Sequence, residues 1–197
     1  MKDKKKPFIL TICLTLCMCA IVILIVLINN LHLDSRGLEY KINADNTTCT
    51  ITGLGTYSSK DLVIPDTIDS YKVTAIADYA FKDTDIETFS GGENITKIGV
   101  GAFQDCQQLK TAIVSAGVIK IEEECFRGCS ELRRLTLPPN LIEIGTGAFG
   151  NCHVLQNIDM PNTTKIIGNS AFYGCFSLKS ITIPNGVVRL DGWAFFG

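Results

Sequence analysis

The stretch Ile144 to Cys152, "IGTGAFGNC", sets Gly145, Gly147 and Gly150 in the order G-x-G-x-x-G. That spacing cradles a pyrophosphate when it follows a strand and opens a helix inside a βαβ unit. Nine Cys and two His are the other residues with ligand or nucleophile chemistry. His32 and His153 lie far apart, and neither has a Ser, Cys or Asp near it in a recognisable nucleophile context. A general base without a positioned partner does no catalysis. Zinc needs clustered ligands, and the chain has no CxxC with a His at ligand spacing. No catalytic residue, metal or cofactor is expected. Asn46, Asn94 and Asn162 each open an N-x-T triplet, an acceptor pattern for N-glycosylation that carries no meaning in a bacterial host.

The elements that would position such groups follow from an internal period. Ala-Phe stands at 80–81, 102–103, 148–149, 171–172 and 194–195, with Cys125-Phe126 in the remaining place, so successive Phe spacings are 22, 23, 23, 23 and 23. Cys106, Cys129, Cys152 and Cys175 keep the same step, three residues after their Phe. Pro65, Pro138, Pro161 and Pro184 share one repeat position, taken by Gly92 and Ser115 in the two units between. A unit reads L-x-x-I-x-I-P-x-x-V-x-x-I-G-x-x-A-F-x-x-C. Its first half alternates with period 2 and predicts a short strand, which the Pro ends for want of an N–H. Gly99, Gly145 and Gly168 are assigned a second bend, and A-F-x-x-C a short helical or irregular return. One unit cannot bury so many apolar groups alone. Stacked coils about 4.8 Å apart can, which makes the chain a mainly β repeat solenoid.

"LRRLTLPPNLIEIGTGAFGNC" and "LKSITIPNGVVRLDGWAFFG" resemble the BspA-type leucine-rich repeat of bacterial and protozoan surface proteins. The resemblance covers about 61–197 as six repeats, the last incomplete, and implies a right-handed stack of coils. Residues 38–60 resemble the β-hairpin that opens such arrays. Unit three departs from the pattern, with "IEEECF" where I-G-x-x-A-F is expected. The resemblance implies a non-enzymatic role in adhesion or in binding an extracellular protein or glycan.

The repeat absorbs the glycine motif. Gly145 aligns with Gly99 and Gly168, Gly147 with Gly101, and Gly150 with Gln104, Arg127 and Tyr173. A solenoid turn accounts for all three, and no βαβ unit frames them. Phe81, Phe103, Phe126, Phe149, Phe172 and Phe195 are expected along the interior with rings stacked between coils. Cys106, Cys129, Cys152 and Cys175 read as small buried hydrophobes, with bridges between stacked neighbours or between Cys125 and Cys129 as the alternative. The outward strand letters are the binding candidates: Lys110, Thr111, Arg133, Arg134 and Thr136, then Gln156, Asn157, Asp159, Lys179 and Thr182. They vary from coil to coil while the apolar set stays fixed. Glu122, Glu123 and Glu124 read as a solvated acidic patch on the opposite side.

Residues 8–28 form an uncharged run of 21 after a Lys-rich start. That is the length of a membrane span and too long for the 7–15 apolar residues of a cleaved signal. The expected order is a cytoplasmic flank 1–7, a signal anchor 8–28, a linker 29–37, a hairpin cap 38–60 and repeats 61–197, with everything after the anchor outside the cell. With the four Lys and one Asp of residues 1–30 set aside, 14 basic residues face 19 acidic ones, which argues against nucleic acid. Competing roles are a passive stalk that presents another module, or a piece of a larger surface enzyme. Leu190, Trp193, Phe195 and Phe196 crowd the last eight residues, so self-association through an uncapped final coil is a further expectation.

Overall fold

The computed structural model describes residues 32–33 and 36–197. The basic flank and the apolar run, 1–7 and 8–28, lie outside the described residues. Among the described residues no helix is long and apolar enough to cross a membrane. The return segments, expected as short helical or irregular pieces, are runs of turns, and no α-helix occurs among the described residues.

Fourteen short strands make up the secondary structure of the described residues: β1 (His32–Leu33), β2 (Glu39–Ile42), β3 (Thr48–Gly53), β4 (Asp61–Val63), β5 (Thr67–Ile68), β6 (Tyr71–Ile76), β7 (Thr88–Ser90), β8 (Lys97–Ile98), β9 (Thr111–Ile113), β10 (Lys120–Ile121), β11 (Arg134–Thr136), β12 (Glu143–Ile144), β13 (Ile166–Ile167) and β14 (Arg189–Leu190). β2 and β3 form an antiparallel hairpin, and β3 runs parallel to β6. Tyr40, Cys49 and Ile51 are buried in this hairpin and join the core, so it closes the first end of the stack.

Each coil then contributes to three faces. On the first, β4, β7, β9 and β11 lie parallel in register, with Asp61 opposite Thr88, Thr88 opposite Thr111 and Thr111 opposite Arg134. On the second, β10, β12, β13 and β14 pair in the same way through Ile121, Ile144, Ile167 and Leu190. The third has no strands, yet it is a ladder. In coil three Glu124 N–H donates to Thr146 O at 2.9 Å, Phe126 N–H to Ala148 O at 2.8 Å and Gly128 N–H to Gly150 O at 2.8 Å, all in the next coil. The N–H groups between them close turns within the coil, as in Arg127 N–H to Glu124 O at 3.0 Å. Left-handed residues punctuate this face. Two before each Phe stand Tyr79, Gly101, Glu124, Gly147, Ser170 and Trp193, with φ from +53° to +62°. Two after it stand Asp83, Asp105, Gly128, Asn151 and Gly174.

This corrects the assignment of the bend to Gly99, Gly145 and Gly168, whose φ is not positive. They are small because coils approach closely there: a Cβ on Gly145 would lie 2.8 Å from Glu123 N and 2.9 Å from Ile121 O. The predicted strands at Asn157–Asp159 and Ser180–Thr182 also do not form. Asn and Asp sit poorly in strands because their side chains compete for the backbone, and coil five carries one on each side of Ile158.

Inside, the Phe rings run as one stack. Phe103 and Phe126 are 5.1 Å apart at 3°, Phe126 and Phe149 5.6 Å at 6°, and Phe149 and Phe172 5.3 Å at 14°. Phe195 ends it half-buried, 5.3 Å from Phe172. Each stacked pair adds about 0.5–1.5 kcal/mol beyond burial. The cysteines are all free among the described residues: the bridges weighed between stacked neighbours and between Cys125 and Cys129 are absent. They are more than small hydrophobes. Cys106 Sγ–H donates to Phe81 O at 2.9 Å, Cys129 to Phe103 O at 3.1 Å, and Cys152 and Cys175 to Phe126 O and Phe149 O at 3.2 Å. Each thiol thus reaches back to the preceding coil.

Ser115, in the place Pro holds in four coils, leans over Gly91 with its buried hydroxyl unpartnered. An orphaned buried hydroxyl costs about 1–3 kcal/mol. Ser115→Ala is expected to stabilise the fold by about 1 kcal/mol, raising Tm by roughly 2–4 °C in thermal unfolding; an unchanged or lower Tm contradicts the account. Burial pushes the Cys49 and Cys106 thiols up to about 11 and Cys175 to about 12. Folded thiols that hold their protons more tightly than unfolded ones stabilise fully below the ordinary thiol range, and that stability is lost as pH rises from there through the folded values. Denaturant unfolding should therefore give constant stability from about pH 7 to 8.5 and a decline between about pH 9 and 11. In the same pH 8 buffer, iodoacetamide should label these six cysteines only after denaturant is added, as mapped by mass spectrometry.

Candidate functional site

The first face brings together five of the ten predicted binding residues. Thr111 and Arg134 are direct register partners, as are Ile113 and Thr136, and Lys110 and Arg133 immediately precede their strands. All except the half-buried Thr111 are exposed. The outward direction is fixed from inside: Phe89 and Ala112 between the outward letters are buried, which leaves their neighbours no other side to take. Gln156, Asn157, Asp159, Lys179 and Thr182 are exposed too, but their segments carry no strand pairing. A cleft of about 220 Å3 separates Asn157 and Asp159 from Ser180 and Thr182. The structure therefore does not join these five to the sheet.

Charges on the sheet are partly spoken for. Glu87 bridges Lys60 and Lys110 across three coils. Hydrogen bonds from Lys110 and then Lys60 hold its carboxyl below the usual carboxylate range. Thr88 Oγ1–H donates to Asp61 Oδ1 at 2.7 Å, a further rung between coils. Arg133 pairs with Glu131. Arg134 and Lys179 have no ion pair among the described residues, so their charge faces solvent. The acidic patch is largely compensated: Glu122 bonds Lys120, which also meets Glu143, and Glu124 bonds Arg127. Among the described residues no three His, Cys, Asp or Glu side chains gather as a metal site requires.

The third face carries a feature that the search for outward strand letters passed over. The residue after each Phe is Lys82, Gln104, Arg127, Gly150, Tyr173 or Phe196, so Gly150 leaves a gap between Arg127 and Tyr173. Gly147 empties the adjacent left-handed column between Glu124 and Ser170. The result is a cleft of about 320 Å3. The signal was in the sequence, as the two glycines of "IGTGAFGNC" that the neighbouring coils replace with side chains. It is legible only when coils are compared in register.

Family and structural comparisons agree with this architecture. The model of the BspA-type leucine-rich repeat region matches residues 56–197 in six copies. No curated protein matches the chain. A leucine-rich repeat protein of T. pallidum superposes with a TM-score of 0.69 at 25% identity, over 79% of each chain. A leucine-rich cell surface protein of Faecalibacterium prausnitzii gives 0.61 at 26% identity, over 82% of this chain and 50% of that one. A leucine-rich repeat protein of Eubacterium ventriosum shares the fold at 0.62 and 22% identity, over 79% of this chain and 51% of its own. The chain thus spans about half the length of the last two. With six in-register copies of one repeat, an interior column of Phe and Cys and these structural neighbours, the chain belongs to the BspA-type leucine-rich repeat family.

Proposed function

We propose that this protein binds an extracellular protein or glycan through its strand face, tethered to the cell surface by the apolar run 8–28. The observation that carries the reading is the register of β9 and β11: it aligns Lys110, Thr111, Arg133, Arg134 and Thr136 as one contiguous outward patch. Arg134 is the cation of that patch without an ion pair among the described residues, while Lys110 and Arg133 are already met by Glu87 and Glu131. An unpaired cation on a chain that is acidic as a whole draws an acidic group of a partner toward this face, and salt weakens the effect. Membership of a repeat family, with a neighbour described as a cell surface protein, supports area recognition without chemistry. The length of the apolar run and its Lys-rich flank support the anchor and an extracellular solenoid.

The test displays the full chain on cells and challenges it with arrays of extracellular-matrix proteins and of glycans. The double variant Arg133→Glu, Arg134→Glu is expected to lower capture about tenfold or more while Tm stays within about 2 °C, and added salt should lower capture by the unsubstituted chain. Capture that survives the charge reversal, or a chain that captures nothing on either array, overturns the strand-face reading.

A further inference from the structure

We propose that the cleft opened by Gly147 and Gly150 on the third face is a slot for one pyranose ring of an uncharged sugar. The column that follows the Phe residues is held in vertical alignment by backbone bonds. Asp105 N–H donates to Arg127 O at 2.7 Å, Gly128 N–H to Gly150 O at 2.8 Å, Asn151 N–H to Tyr173 O at 2.6 Å and Gly174 N–H to Phe196 O at 2.9 Å. Five of its six members carry long side chains and Gly150 carries none, so one tooth of the comb is missing. The coil steps that flank the gap, measured on the adjacent Phe stack, are 5.6 and 5.3 Å. A single ring can therefore enter where a side chain would otherwise lie.

The two walls differ in kind. Tyr173 is 43% exposed, and Phe196 stacks on one side of it at 5.9 Å and 11°. Gly150 leaves the other side open. The negative face of an aromatic ring attracts the weakly positive C–H face of a pyranose. On the far wall Arg127 is paired: Glu124 Oε1 accepts from it at 3.1 Å, while Glu124 Oε2 accepts from Gln104 Nε2 at 3.1 Å. Thr146, Asn151, Asn169 and Ser170 complete the lining with hydroxyls and amides, which donate and accept hydrogen bonds alike. The chemistry of the lining selects the ligand class. Arg127 and Glu124 cancel each other's charge, which gives a phosphate or carboxylate no net attraction. A flat aromatic ligand would want apolar surface on both sides and finds it on one. A ring with one C–H face and a rim of hydroxyls matches both walls, and about 320 Å3 lies at the lower end of ligand clefts. The slot lies on a different face from Lys110, Arg133 and Arg134, so it stands or falls independently of the strand-face reading.

The experiment titrates methyl glucoside, galactoside, mannoside and N-acetylglucosaminide against the full chain, held in a detergent without sugar headgroups, by saturation-transfer NMR. At least one should bind with Kd on the order of 1 mM, the range for a ligand this small. Gly150→Gln fills the slot with the side chain that Gln104 carries at the same repeat position, and should weaken binding about tenfold or more at unchanged Tm. Tyr173→Ala should do the same, and Tyr173→Phe should keep affinity within about twofold. The strand-face double variant should bind sugar as the unsubstituted chain does. The proposal is overturned if no pyranoside binds by about 50 mM, if binding survives both Tyr173→Ala and a folded Gly150→Gln, or if adenosine or inorganic phosphate binds more tightly than every sugar. Should Gly150→Gln fail to fold, Tyr173→Ala against Tyr173→Phe decides the matter alone.

Discussion

A backbone amide of the third-face ladder has its acceptor in the next coil, 21 or 22 residues further along, and the remaining regularities of the molecule follow from that requirement. Phe81 N–H finds Ala102 O, Phe103 N–H finds Cys125 O, and so on to Phe172 N–H and Ala194 O. A buried amide left without a partner costs about 1–3 kcal/mol, so a coil with one residue too many would break several such bonds at once. The repeat length is held constant by this condition. The single step of 22, between Phe81 and Phe103, still delivers Phe81 N–H to Ala102 O at 2.8 Å, so the shortening is absorbed elsewhere in the coil.

The columns were legible in the sequence wherever residue identity is dictated by the interior. Ala before Phe from the second coil on (Ala102, Ala148, Ala171 and Ala194), Cys three residues after Phe, and Ile98, Ile121, Ile144 and Ile167 at the second face are buried with little or no exposed surface, and each keeps its type because little else fits. Conformation on the third face was not legible. Tyr79, Glu124 and Trp193 adopt left-handed φ although their side-chain types do not favour it, because the ladder on both sides fixes the backbone there. Glycine misled for the same reason: Gly145 is required by a close approach and Gly147 occupies a left-handed site that larger residues also fill, and sequence spacing does not separate the two causes.

The candidate strand face was half legible. Alternation identified which letters point outward, since one face of each strand must be dry. It did not foresee that pairing ends at β11, because Asn157 and Asp159 satisfy the outward pattern while resisting the strand itself. Nor did it foresee that Lys110 is already engaged by Glu87, an ion pair set by inter-coil register and not by local sequence. The solenoid thus separates two tasks. The inward letters carry stability, and the outward ones are free to change coil by coil, subject only to the charges stacked above and below them.

The third-face ladder also has a sense. Its amides all donate toward the following coil, and the thiols of the Cys column all donate toward the preceding one. Every coil is therefore chemically opposite at its two sides on this face, with donors toward the coil that follows and acceptors toward the one before. A coil set into the stack upside down would place N–H against N–H and leave buried amides without partners. The same directionality lets repeats be duplicated or exchanged only in one sense, each new coil taking up the amides of its predecessor.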